Sequence, residues 1–301
     1  MVISRLGEPL NVNQLWAQTA DSDNNVFGRV LNPHKLSLTA GGSSGGEGAL
    51  VAMRGSILGV GTDIGGSIRI PALCCGTYGF KPSSNRIPYS GQQGPGKAGS
   101  PGIKAAAGPL ATTFRDLEYF TKLVLSKSPW NYDSSTMAIP WRVTTAKERL
   151  VIGVQADEPI HPLYPPAARA LSSAVKKLEV AGYSIIYLKD APSAADALKL
   201  ASHFFSLDNT KQWLKNINAS GEPLVPQWSA IRTWSMRSQM DITWKNSLIS
   251  TSREPSISIS GTRSGLRTNS MWSSVLAIRT QHLHTTLMAR LLSQPCGTLW
   301  M

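Results

Sequence analysis

Residues 39–76 read TAGGSSGGEGALVAMRGSILGVGTDIGGSIRIPALCCG, and the rest of the chain is best read outward from them. The stretch sets Ser43 and Ser44 side by side between two glycine pairs and puts Ser67 directly behind a third pair, Gly65 and Gly66. Glycine loses more backbone freedom on folding than any other residue and is kept where the chain needs positive φ or close approach. A structural turn accounts for a single glycine pair; three hydroxyls on such backbone ask for chemistry as well.

Two nucleotide-binding patterns fail on residues. A phosphate loop needs a Lys-Ser or Lys-Thr pair behind its glycines, and Glu47 stands there instead. A dinucleotide loop needs a third glycine where GVGTDIGG carries Ile64. A nucleophile elbow G-x-S-x-G is met by Gly42, Ser44 and Gly46, which would make Ser44 the nucleophile of an α/β-hydrolase esterase. His161, His203, His282 and His284 are then available to complete a triad.

On either side the pattern alternates strand and helix. Leu36–Thr39 reads as a short strand, GEGALVAMRG as a helix, SILGVGTD as a buried strand, IGGSIRIPA as a turn into a helix, and YGFKPS as another short strand. TTFRDLEYFTKLVLS spaces Leu117, Phe120, Leu123 and Val124 helically behind Thr113, a capping residue. RLVIGVQAD reads as a strand, PPAARALSSAVKKLEVAG as a helix that starts on proline and stops at Gly182, and YSIIYLKD as a strand. The expected class is α/β, a mixed sheet flanked by helices. The segment from 192 to 241 reads as mainly helical, and six of the nine tryptophans fall after residue 212, where core or groove lining is the ordinary role.

With 301 residues and 42% hydrophobic content, the chain can bury a substantial core. Its formal net charge of +12 is scattered rather than clustered, so no nucleic-acid partner is expected. No apolar run approaches the roughly 18 residues of a membrane span, and MVISRLGEPLNVNQ lacks a signal peptide's apolar segment, so the expected compartment is the cytoplasm. Cys74, Cys75 and Cys296 show neither metal-ligand spacing nor a disulfide framework and read as buried or incidental. Beyond Glu254 there is no acidic residue, while Arg263, Arg267, Arg279 and Arg290 remain. The domain reading is therefore a domain over 1–255 and an atypical Ser/Thr/Arg-rich tail over 256–301, expected to be poorly ordered.

Taken whole, the block from Gly41 to Pro71 resembles the amidase signature family: GGSSGG at 41–46, GEGA behind it, GVGTDIGGS at 59–67 and IRIPA at 68–72. NVFGRVLNPHK before it and CGTYGFKPS after it are similar too, and the block looks more like fungal acetamidases and fatty-acid amide hydrolases than a tRNA-amidotransferase subunit. The resemblance implies amide hydrolysis of a small-molecule substrate by a Ser-Ser-Lys triad, with neither metal nor organic cofactor. It makes Ser67 the nucleophile and Ser43, behind a cis peptide, the proton relay. The N–H groups of Ile64, Gly65, Gly66 and Ser67 would form the oxyanion hole, with Ser44 supporting the hydrogen-bond network and Asp63 and Arg69 holding the loop as an ion pair.

The same resemblance puts the base lysine many tens of residues ahead of the first motif serine. Here Lys35, read as a solvated lysine in a turn, is the sole lysine before Ser43, and Lys81 reads as structural. A lysine needs burial and positioning to act as a base. The expectation is thus an amidase domain shortened at its amino terminus and aberrant at its carboxyl terminus, with an uncovered sheet edge and exposed apolar surface. A non-catalytic fragment and the Ser44 esterase stand as alternatives.

Overall fold

The computed structural model describes residues 20–92, 102–143, 151–155 and 162–188, together with residues 196–197, 200–201, 204, 215, 218–219, 221, 223 and 225. His161, His203, His282, His284 and the 256–301 tail lie outside the described residues. The chain divides into two units, and the serine-glycine block belongs to the first.

The first unit opens with a hairpin, β1 (Leu31–Asn32) against β2 (Lys35–Thr39). Helix α1 (Gly45–Ala52), strand β3 (Leu58–Asp63), helix α2 (Arg69–Cys75) and strand β4 (Tyr78–Gly79) follow. Strand β5 (Ala106–Ala111) then pairs antiparallel with both β3 and β4, giving the sheet order β3-β5-β4. Helix α3 (Phe114–Ser126) and a 3-10 turn (Pro129–Asn131) follow.

Small residues explain how α1 lies so near this sheet. β3 is not the evenly buried run that SILGVGTD suggests; burial alternates, and the residues buried along it are Gly59, Gly61 and Asp63. A Cβ at Gly59 would overlap the Glu47 carboxylate of α1, and one at Gly61 would stand 2.5 Å from the Ser44 Oγ. Glycine on the strand therefore lets the helix and its first turn sit directly on the backbone. β5 is buried along its whole length, and its Leu110 packs with Ile68 and Ala72 of the α2 segment. A second cluster joins Ala40, Ala49 and Cys75, flanked by Val30 and Ala52.

The helix ends follow local chemistry. Thr113, in extended conformation, accepts the Asp116 N–H at 3.2 Å and so caps α3 as its sequence suggests. α2 stops at Gly76, which takes a left-handed φ of 68°. In the second unit, parallel strands β6 (Val151–Gln155) and β7 (Ser184–Leu188) flank helix α4 (Pro165–Val180). Parallel strands need such a crossover; it starts on two prolines and turns at Gly182, φ 85°.

Antiparallel pairing in the first unit and parallel pairing in the second make an α/β chain with helices on its sheets. Among the described residues the pairing is spread over three small sheets. Exposed apolar side chains in the first unit include Phe27, Leu36, Ile57 and Phe114.

Candidate active site

The three serines fall on two segments that meet. Gly41–Gly45 is the turn leading from β2 into α1, and residues 64–68 lead from β3 into α2. A backbone hydrogen bond from the Ser44 N–H to the Ser67 carbonyl, 3.1 Å, ties one to the other. The Gly42–Ser43 peptide is cis. Ser43 and Ser67 are half-buried.

Ser44 is different. It is fully buried, and although it occupies the cap position of α1 its hydroxyl does not cap the helix. The Oγ instead accepts the Thr62 N–H at 3.2 Å and lies 3.4 Å from the Thr62 carbonyl, fastening the start of α1 to β3. A sealed hydroxyl bound to a strand backbone is no nucleophile elbow, which presents its serine to substrate. The structure thus argues against an esterase built on Ser44.

Asp63 and Arg69 form the ion pair expected of them. Arg69 Nε donates to Asp63 Oδ2 and Arg69 Nη2 to Oδ1, both at 2.9 Å, with both side chains buried. The same carboxylate accepts the Gly66 N–H at 2.7 Å and the Ile68 N–H at 3.2 Å, so one side chain gathers the whole turn around Ser67. Burial alone would push this carboxyl up. The Arg69 guanidinium and the two N–H groups outweigh it and hold Asp63 below its ordinary value.

The glycine pair ahead of Ser67 takes a conformation few residues can. Gly66 has φ 132°, and its N–H is directed to Asp63. The N–H groups of Ile64, Gly65 and Ser67 make no hydrogen bond among the described residues. Neighbouring N–H groups with no protein partner at a strand-to-helix turn can solvate a developing negative charge.

Neither lysine considered from the sequence hydrogen-bonds Ser43 or Ser67 among the described residues. Lys35 is the exposed first residue of β2, just past the hairpin turn rather than within it. Lys81 is half-buried; burial lowers its ammonium below the ordinary value, the Asp63 charge opposes that and the Arg69 charge adds to it.

Two residues not singled out in the sequence lie beneath the serine turn. The Ser22 hydroxyl stands 3.0 Å from the Gly41 carbonyl and 2.9 Å from the Ser43 carbonyl, and accepts the Gly45 N–H at 3.0 Å. Asp21 binds the Thr39 hydroxyl, the Ser22 N–H and Arg29, and its backbone fills the space a side chain at Gly42 would need. A polar cluster, DSDNN, is the only mark they leave in the sequence, and it reads as a turn.

The family model described as amidase matches residues 10–258, which span this whole site. The chain belongs to the amidase family. Relatives include an amidase of Gibberella moniliformis, 44% identical over 211 residues that cover 70% of this chain and 40% of that protein. An acetamidase of Aspergillus oryzae is 38% identical over 215 residues, covering 67% and 38%. Among solved structures a fatty acid amide hydrolase superposes with a TM-score of 0.72 at 33% identity, covering 83% of this chain and 43% of that one. A bacterial aryl acylamidase of the amidase signature family, at 23% identity and a TM-score of 0.59, shares the fold. The amidase-family chain described here spans about two fifths of the length of the relatives it matches. Among its described residues no helix is long and apolar enough to cross a membrane.

Proposed function

We propose that this chain carries the serine centre of an enzyme that hydrolyses carboxamides through an acyl-enzyme. Ser67 Oγ attacks the amide carbonyl as its proton passes to Ser43, whose own proton moves on to a lysine base of the kind the resemblance implies, a role that neither Lys35 nor Lys81 fills among the described residues. The new O–C bond turns the carbonyl into an oxyanion, which the N–H groups of Ile64, Gly65 and Ser67 receive. Gly66, the fourth donor of the resembled oxyanion hole, donates its N–H to Asp63 at 2.7 Å. Collapse breaks the C–N bond as Ser43 gives a proton to the departing nitrogen and takes back the one held by the base. Water then attacks the acyl ester, releasing the acid and restoring the Ser67 hydroxyl.

The observation that supports this most is the juxtaposition itself: two half-buried serines on turns joined by the Ser44-to-Ser67 backbone bond, in a chain of the amidase family. We assign this chemistry to residues 1–255 and treat 256–301 as an appended tail. Free thiols at Cys74 and Cys75 suit a reducing compartment such as the cytoplasm.

A second reading, a non-catalytic chain that keeps the loop, is favoured by the placement of Lys35, exposed and remote from the role of a buried base. A fluorophosphonate probe followed by peptide mapping decides between them. Labelling at Ser67, lost in Ser67→Ala, supports the nucleophile; labelling nowhere supports the non-catalytic reading, and labelling at Ser44 overturns the assignment. Hydrolysis of acetamide and of a long-chain amide then tests turnover.

A further inference from the structure

Ser22 is fully buried and comes from a segment about twenty residues ahead of the turn it touches. Its single hydroxyl serves three backbone groups of that turn, the carbonyls of Gly41 and Ser43 and the N–H of Gly45. These three groups bracket Ser43 on both sides. A merely local turn would satisfy such groups from its own residues or from water.

The support below Ser22 is equally specific. Its N–H is held by the Asp21 carboxylate at 3.0 Å, and the other Asp21 oxygen is fixed by Arg29 at 2.8 Å. The Ser22 carbonyl accepts the Val30 N–H at 2.9 Å, which anchors it to the residue just ahead of β1. Gly42 sits against the Asp21 backbone so closely that no Cβ fits. The 41–45 turn therefore rests on a saddle pegged by the Ser22 hydroxyl, with the Thr39 hydroxyl accepting the Gly41 N–H at 2.9 Å at its leading end.

We infer that Ser22 is a positioning residue for the serine centre, its hydroxyl setting where the Ser43 backbone, and with it the Ser43 side chain, stands relative to Ser67. It touches no reacting atom; it acts through Ser43. This inference rests on the reading of Ser43 as the proton relay, since displacing a relay by about 1 Å can cost about a hundredfold in rate.

The test uses the full chain with Ser22→Ala and Ser22→Thr, and two readouts that fail independently. Hydrogen exchange in peptides covering 39–50 reports whether the turn is held, whatever the chemistry. Ser22→Ala is expected to speed exchange at residues 41–45 while β3 and β5 stay protected, and Ser22→Thr, which keeps the hydroxyl, to restore protection. The rate of fluorophosphonate labelling at Ser67 reports the consequence: a loss of about tenfold to a hundredfold in Ser22→Ala, largely recovered in Ser22→Thr. Unaltered exchange at 41–45 in Ser22→Ala overturns the proposal, and so does loosened exchange with wild-type labelling. If the wild-type chain is not labelled at Ser67, the nucleophile reading fails and the exchange data alone decide whether Ser22 holds the turn. Should Ser22→Ala not fold, Ser22→Cys, similar in size but a weak donor and acceptor, is read in its place.

Discussion

Arg69 and Asp63 face each other through two parallel hydrogen bonds of 2.9 Å, buried on either side of the turn that carries Ser67. The pair is local in sequence, six residues apart, yet it spans the junction from β3 into α2. Breaking a buried pair by removing one partner strands the other charge, and typically costs about 3–5 kcal/mol. Arg69→Met is expected to lose about that much in urea unfolding. A double variant with Asp63→Asn should recover part of it, because the stranded carboxylate is gone. A cost below about 1 kcal/mol, the range of a surface pair, would refute the assignment.

Acid should loosen the same region. Asp63 is held low for the reasons given above, and Asp133 is held low by the Ser135 hydroxyl and the N–H groups of Ser90, Ser135 and Tyr89. A carboxylate depressed in the native state contributes stability that is complete above its unfolded value, about 3.9, and is lost as pH falls through its native value. Thermal unfolding should therefore show no loss from these groups between about pH 7 and pH 5, and a decline below about pH 4. Asp133→Asn should make the acid limb shallower; an unchanged limb would count against this origin.

Gly42 and Gly102 should respond oppositely to alanine. At Gly42 a methyl group runs into the Asp21 backbone, which cannot swing aside as a side chain would, whereas at Gly102 nothing lies within 4 Å. Gly42→Ala is expected to cost about 1–3 kcal/mol or more, in the range of overpacking. Gly102→Ala should stay within about 0.5 kcal/mol of wild type. Equal midpoints in a denaturant titration would contradict the close approach at Gly42.

Thr113→Ala removes the hydroxyl that accepts the Asp116 N–H at the start of α3. The expected loss is about 1 kcal/mol, and Thr113→Ser should retain most of it. Chemical denaturation of the three proteins gives the comparison directly.

Cys74 and Cys75 should be unreactive in the native chain. Burial pushes both thiols up to about 12, so at pH 8 only about one molecule in ten thousand carries either thiolate, the reactive species. Iodoacetamide labelling with peptide mapping should show both sites protected until urea is added. Rapid native alkylation at either would contradict this.

Much of the fold follows from local pattern. Thr113 and Asp116, Pro165, and Gly182 mark helix ends by their own chemistry, and α3, α4, β6 and β7 lie where periodicity places them. Strand β5 is the counterexample. Its AAGPLA holds a Gly-Pro step that belongs to a turn by composition, yet it is the central, fully buried strand between β3 and β4. Gly108 is needed there because the Phe80 carbonyl occupies the place of a side chain. A proline in a central strand cannot donate to the ladder, and only the arrangement of neighbouring strands makes that tolerable.

The site divides in the same way. Sequence alone identifies the Ser43, Ser44 and Ser67 block, the Asp63–Arg69 pair and the family, because those residues lie within one short stretch and their spacing is diagnostic. Tertiary structure decided that Ser44 is sealed against β3, that the Gly66 N–H belongs to Asp63, and that Ser22 and Asp21 carry the serine turn. Burial and hydrogen-bond partnership depend on which distant segments the fold brings into contact. A serine about twenty residues away leaves no periodic mark in the chain, and its role exists only once the turn is laid upon it.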